Sequence, residues 1–216
     1  MNTFLDDLVR RYPPLTACAD ALQSALDVLT ATFENRGKVL LCGNGGSASD
    51  CDHIVGELMK SFLRPRPIPA AHRDALSQAG SEGRALADAL QGGFPCVALT
   101  AHTALNLAVA NDVAADVVFA QQVYVSGRAG DVLWGLSTSG NSVNVVNAFR
   151  VARILGMRTI ALTGLAGGKL AQMADVAVRV PATATPQVQE LHLPIYHALC
   201  AALEERFFGT PDTSDK

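Results

Sequence analysis

The sequence predicts a three-layer α/β/α sandwich built on a five-stranded parallel sheet. Three observations carry this. Five short runs, at 39–42, 96–99, 132–136, 159–162 and 176–180, are apolar almost throughout. Helical stretches at about 47–61, 103–125, 142–156, 168–174 and 186–208 separate them. Segments rich in glycine or hydroxyls follow the first and third runs. Strands that are apolar on both faces and alternate with helices belong to a parallel sheet covered on both sides. In such sheets ligands bind outside the carboxyl ends of the strands.

The elements follow in order. Phe4, Leu5, Leu8 and Val9 give residues 3–12 a helical pattern, ended by Pro13-Pro14. A second helix is expected over about 15–35, with Leu22, Leu26, Val28, Leu29 and Phe33 on its apolar positions and Gly37 placed to end it. Residues 1–36 are therefore read as N-terminal helices for oligomerisation, and 37–216 as the α/β domain. Prolines at 65, 67 and 69 make 62–69 extended. Residues 70–91 then read as two short helices around Gly80-Ser81. This marks an insertion at about 63–92, either a surface excursion or a wall over the site. In the last helix Thr185 is expected as the cap, Pro186 in the first turn and Pro194 as a kink.

The chain has 216 residues, of which 49% are hydrophobic and 17% charged, enough for a buried core and too apolar for disorder. Seventeen Lys and Arg against 20 Asp and Glu leave a charge of −3. Without a basic run, composition gives no support to nucleic acid or an anionic membrane as partner. No run reaches 18 apolar residues, and the first residues lack a secretory pattern. Five scattered cysteines (Cys18, Cys42, Cys51, Cys96, Cys200) contain no CxxC pair, so buried thiols in a cytoplasmic protein are expected. A mean hydropathy of +0.22 suggests surface hidden in a homo-oligomer.

Two loops point to an anion. Gly43-Asn44-Gly45-Gly46-Ser47 turns from the first strand into a helix, where exposed N–H groups and the helix dipole favour a phosphate. Ser137-Thr138-Ser139-Gly140-Asn141-Ser142 follows the third strand with four hydroxyls, and Ser142 is placed to cap the next helix. Neither loop holds Lys or Arg, which suits a monophosphate that must come and go. Each is also compatible with an ordinary turn.

A second group carries acid–base chemistry. His53 and Glu57 lie four apart on one helix face. Gln189, Glu190, His192 and His197 stand on the last helix. Gln189 and His197 are eight apart, about 12 Å along a straight helix, and His192 falls off their face. His, Glu and a third ligand are zinc-like chemistry, in which a metal polarises a carbonyl while Glu57 or His197 moves protons. Taken alone, the His53/Glu57 pair reads more readily as a solvated or capping pair, and His197 as a satisfied, partly buried ring. Asn111-Asp112 either reaches sugar hydroxyls or caps a helix. His72 and His102 carry no assigned role.

These motifs recur in a recognisable order: Gly43-Asn44-Gly45-Gly46-Ser47, His53-Ile54-Val55-Gly56-Glu57-Leu58, Asn111-Asp112, Gly130-Asp131-Val132-Leu133, Ser137-Thr138-Ser139-Gly140-Asn141-Ser142, Leu162-Thr163-Gly164, Gly167-Gly168 and Gln189-Glu190-Leu191-His192. Together they resemble the phosphoheptose isomerase branch of the sugar isomerase (SIS) domain family, over about 15–208 with the insertion outside. The resemblance implies a flavodoxin-like SIS fold. It implies isomerisation of sedoheptulose 7-phosphate to D-glycero-D-manno-heptose 7-phosphate through an enediol(ate). It also implies a cytoplasmic homotetramer with zinc in sites at subunit interfaces. Carried over by position, Asn44, Gly45, Gly46, Ser47, Glu57, Asn111, Asp112, Ser137, Thr138, Ser139, Ser142 and Gln189 would bind the sugar phosphate. His53, Glu57, Gln189 and His197 would hold zinc, and Glu57 and His197 would move protons. The chain departs from the family at Lys60-Ser61, where Gly-Arg is common, and at Ala184-Thr185-Pro186-Gln187, where an Asp-Thr-Pro-Arg run is common. Two charged contacts to substrate are then either lost or supplied by Arg64 or Arg66. The alternative is a non-catalytic relative of the type that binds a replication initiator. Such relatives lack the acidic and histidine positions, and this chain has both Glu57 and His197.

Overall fold

Alternate residues of a strand point to opposite faces, so a strand covered on both sides must be apolar at every position. The first strand, β1 (Val39–Cys42), shows this: Val39 and Leu41 enter one core, Leu40 and Cys42 the other. The structure is a computed structural model and describes residues 2–209, so the last seven residues of the expected 37–216 domain lie outside the described residues. β1 pairs in parallel with β2 (Cys96–Ala98) and β3 (Val132–Ser137), and β4 (Arg158–Thr163) and β5 (Val176–Arg179) extend the sheet. The strand order is β2-β1-β3-β4-β5. This is the flavodoxin-like order, whose direction reverses between β1 and β3. The sequence expectation of a five-stranded parallel sheet holds.

One face is covered by α1 (Thr3–Arg11), α2 (Ala19–Glu34), α3 (Gly46–Met59) and α10 (Thr185–Phe208), through Leu5, Leu8, Leu22, Leu29, Ile54, Leu58, Ile195 and Leu199. The other is covered by α6 (Thr103–Asp112), α7 (Val118–Ser126), α8 (Val143–Ile154) and α9 (Gly168–Met173), through Val109, Val123, Val145, Phe149 and Leu170. Between α3 and β2 lie α4 (Ala70–Ser77) and α5 (Gly80–Ala89), the two short helices expected there. Among the described residues no helix is long and apolar enough to cross a membrane.

Several local expectations are corrected. The helix expected at 103–125 divides into α6, a 3-10 turn (Ala115–Val117) and α7. Asn111 and Asp112 are poor helix interior residues, and Val113 leaves the helical region at φ −123° and ψ −81°. Pro13-Pro14 opens a 3-10 turn (Pro13–Cys18) that delays α2 to Ala19. Thr185 is inside α10; Ala184 is the cap and makes no side-chain cap bond. Pro194 lies inside α10, where the sequence placed it. The apolar residues Leu5, Leu8, Leu22 and Leu29 of α1 and α2 are buried within this chain.

Arg64 and Arg66, the two arginines considered for the charged contacts, are both engaged within the chain. Arg66 is 1% exposed. Its Nε donates to Glu204 Oε1 (2.7 Å), Nη1 to the Leu58 carbonyl (2.8 Å) and Nη2 to the Glu57 carbonyl (2.9 Å). The guanidinium lies over both the Phe94 and Phe208 rings, 5.3 and 5.2 Å from their centroids. Glu204 also accepts from the N–H groups of Phe62, Leu63 and Arg64. Arg64 pairs with Glu205. A buried charge must be paired and hydrogen-bonded, and here both partners are.

Candidate functional site

β1 and β3 are neighbours, with Cys42 opposite Gly135. The loops that leave their carboxyl ends therefore stand side by side at the point where strand order reverses, the ordinary ligand position of such sheets. In the first loop Gly45 adopts φ +57°, a conformation that favours glycine, just before α3 begins. Asn44 exchanges two amide hydrogen bonds with Asn144 near the start of α8, at 3.0 and 2.9 Å. This ties the first loop to the helix that follows the second.

In the second loop the Ser137 and Ser142 hydroxyls are 3.0 Å apart. Ser142 precedes α8 but its side chain makes no cap bond, so the expected capping role is corrected: that hydroxyl faces Ser137 instead. Ser139 Oγ accepts from the Asn141 N–H at 3.1 Å. Thr138 Oγ1 lies 3.5 Å from Thr185 Oγ1 at the start of α10. The loops thus gather hydroxyls and backbone donors with no cation among them.

The acid–base group is built by α3 and α10. His53 Nε2 is 3.3 Å from Glu57 Oε1 and 3.3 Å from His197 Nε2. Glu57 is 9% exposed, and its second oxygen is 3.3 Å from Lys60 Nζ. One of the departures noted in the sequence thus places a cation beside Glu57. Gln189 comes in over Gly46: a Cβ there would stand 2.6 Å from Gln189 Nε2. Burial holds His197 below its ordinary pKa, His53 pushes the same way and Glu57 opposes them.

Two members of this group had no signal in the motifs. Tyr196 is fully buried, and its hydroxyl lies 3.0 Å from His53 Nδ1 and 3.1 Å from Asp50 Oδ1. Burial, reinforced by Asp50, raises the Tyr196 pKa, and burial raises that of Asp50. The available clue was position: Asp50 is one helical turn before His53, and Tyr196 adjoins His197.

Other residues stand apart. Asn111 and Asp112 are exposed at the far end of α6, bonded to each other at 2.8 Å with no hydrogen bond to either loop. Glu190 is exposed. His192 is off the Gln189/His197 face, as expected, and wholly buried; neither ring nitrogen has a hydrogen-bond partner among the described residues. His102 pairs with Gln122 at 2.7 Å.

Among the described residues no group of three or more His, Cys, Asp or Glu is placed so that it could by itself hold a metal ion. His53 sits at the centre of two separations, while Glu57 and His197 are not within ion-pair distance of each other. Ligands bonded to one tetrahedral zinc at about 2.0–2.1 Å stand about 3.4 Å apart. The two 3.3 Å separations match edges of such a tetrahedron, and two imidazoles, a carboxylate and an amide are suitable donors. The donor set fits zinc in its chemistry, while only two of its separations have the length of a tetrahedral edge.

Comparison with known proteins follows from this arrangement. The model of the SIS domain family matches residues 92–164. The chain is 41% identical over 189 residues to the phosphoheptose isomerase of Rhodospirillum rubrum, covering 87% of each. Among solved structures it is similar to the phosphoheptose isomerase of Neisseria gonorrhoeae, with TM-score 0.73, 34% identity, and 93% and 94% of the two chains covered. It is also similar to that of Francisella tularensis, with TM-score 0.75, 30% identity, and 94% and 95% covered.

Proposed function

The chain belongs to the phosphoheptose isomerase family of SIS domain proteins, and from that premise we propose that its site interconverts sedoheptulose 7-phosphate and D-glycero-D-manno-heptose 7-phosphate. One observation carries the reading: His53, Glu57 and His197 meet beside a pair of neutral anion-binding loops at the reversal of strand order. A regulator without catalysis has no need of that group.

In this reading Asn44, Gly45, Gly46, Ser47, Ser137, Thr138, Ser139 and Ser142 hold the sugar phosphate through hydroxyls and backbone N–H groups. Gln189 adds a polar contact from above Gly46. Asn111 and Asp112, exposed and apart from the loops, complete a neighbour's site in a homotetramer. Exposed apolar side chains on α6 and α7 (Leu107, Tyr124, Val125) support such an assembly, and sedimentation reads its mass directly. The cytoplasm is the compartment that suits the five free thiols.

The reaction moves one proton from C1 to C2 and one from O1 to O2. Glu57 takes the C1 proton of the ketose, leaving an enediolate, and returns it to C2. His197 transfers the oxygen-bound proton. A neutral imidazole donates at one nitrogen and accepts at the other, and burial favours that neutral form. The anion cradle fixes the phosphate end, so the reacting carbons stay against Glu57. His53, Glu57, Gln189 and His197 would hold zinc, which when bound polarises the carbonyl.

Glu57→Gln tests the assignment. It keeps shape and removes the base, so turnover should fall by about 10²–10⁴-fold while calorimetric binding of the sugar phosphate stays within a few-fold. Wild-type turnover in this variant would contradict it.

A further inference from the structure

We propose that Tyr196 and Asp50 form a relay that sets the tautomer of His53, so that its Nε2 presents a lone pair to the Glu57 and His197 cluster. Its consequence for zinc rests on the reading above; its geometry does not. An ionised carboxylate only accepts hydrogen bonds. Asp50 Oδ1 is 3.1 Å from the Tyr196 hydroxyl, so that hydroxyl donates to it. The phenol has one proton, now committed. Its oxygen, 3.0 Å from His53 Nδ1, must then accept, and Nδ1 carries the hydrogen. In the neutral ring the other nitrogen, Nε2, is left bare.

That nitrogen faces Glu57 Oε1 and His197 Nε2, each at 3.3 Å. A bare imidazole nitrogen and a carboxylate oxygen aimed at one another repel, and a cation between them turns the repulsion into ligation. The relay therefore raises affinity for a metal without supplying a ligand. Partners of this kind fix ring orientation and tautomer in metal sites. Its placement is rigid: Tyr196 is fully buried, and the His53 and Tyr196 rings meet edge to face with centroids 5.4 Å apart. Tyr196 also adjoins His197 on α10, so one helical segment presents both the ligand and the group that orients the facing ligand. Tyr196 and Asp50 are positioning residues, acting through His53.

The test uses the full chain and zinc ion. Tyr196→Phe keeps the ring and removes the hydroxyl. Its zinc affinity, read by competition with a chelator, should fall by about 10–100-fold. Long-range proton–nitrogen NMR of the metal-free wild type should show His53 protonated at Nδ1, and of the variant a mixture of tautomers. Asp50→Asn keeps an acceptor and loses the charge; it should move both readouts the same way by less, and it serves if Tyr196→Phe does not fold. Wild-type zinc affinity in both variants, or His53 protonated at Nε2 in the wild type, would overturn the relay. A wild-type protein that isomerises no heptose phosphate would defeat the functional reading alone, since the tautomer is read without turnover.

Discussion

Gly46 shows how tightly single positions are fixed at this site. A methyl group there would stand 2.6 Å from Gln189 Nε2 and 3.0 Å from its Cδ, so the amide must move. Gly46→Ala should leave the fold intact, because the backbone at Gly46 is helical and exposed. It should displace Gln189 and weaken zinc retention about tenfold, as disturbed metal sites do, measured by the same chelator competition. Unchanged retention would remove Gln189 from the ligand set. The sequence already placed Gln189, His197, His53 and Glu57 in one group, because helical spacing and a recognisable motif order reveal which residues share a face. It could not place Tyr196. A tyrosine amid apolar residues on a buried helix reads as packing, and only the fold carries its hydroxyl to Asp50, 146 positions away.

The elements are held by a nonlocal pair. Arg66 joins the extended stretch after α3 to Glu204 on α10, and grips the Glu57 and Leu58 carbonyls at the C-terminal end of α3. A cation suits that end of a helix, where carbonyls lack partners and the dipole is negative. Removing one member of a buried pair leaves the other charge uncompensated, at a cost of about 3–5 kcal/mol. Arg66→Ala should lower Tm by roughly 10 °C for a chain of this size. Arg66→Lys, which keeps charge but not the fork of donors, should fall between the two. A melting point unchanged in Arg66→Ala would show the pair to be dispensable. The alternating prolines made the extended path legible in sequence. The burial of Arg66 was not, because its partner lies 138 positions on. The break between α6 and α7 escaped notice because apolar residues continue through it.

At the scale of the whole molecule, the strands were the most legible feature, since a sheet covered on both faces demands apolar residues at every position. The docking of the N-terminal helices was less legible: apolar periodicity marks α1 and α2 as helices with a buried face, and only the fold shows that they pack on this chain's own α10 and sheet. The last helix also carries a pH-sensitive group. Burial pushes His192 down to about 4, and the Thr163 backbone, near but outside hydrogen-bond geometry, pulls the other way. In the unfolded chain the ring titrates near 6.5. Between these values the unfolded state binds the extra proton, so stability is full above pH 6.5 and is lost as pH falls toward 4. The loss from this group should reach about 2 kcal/mol at pH 5. Urea unfolding at pH 7 and pH 5 should show that difference in the wild type and a smaller one in His192→Leu. Equal differences in the two proteins would mean that His192 is already protonated in the folded state at pH 5.

In the proposed reaction this site moves a proton between C1 and C2 of a heptose phosphate through an enediolate. The most direct measurement is NMR of sedoheptulose 7-phosphate incubated with the zinc-supplied protein in D₂O. A new aldoheptose 7-phosphate signal should appear, with deuterium at C2 of the product where the carried proton exchanges with solvent, and neither change should occur with Glu57→Gln. Ketose that stays unconverted, with no deuterium at C1 and zinc verified in the protein, would contradict it.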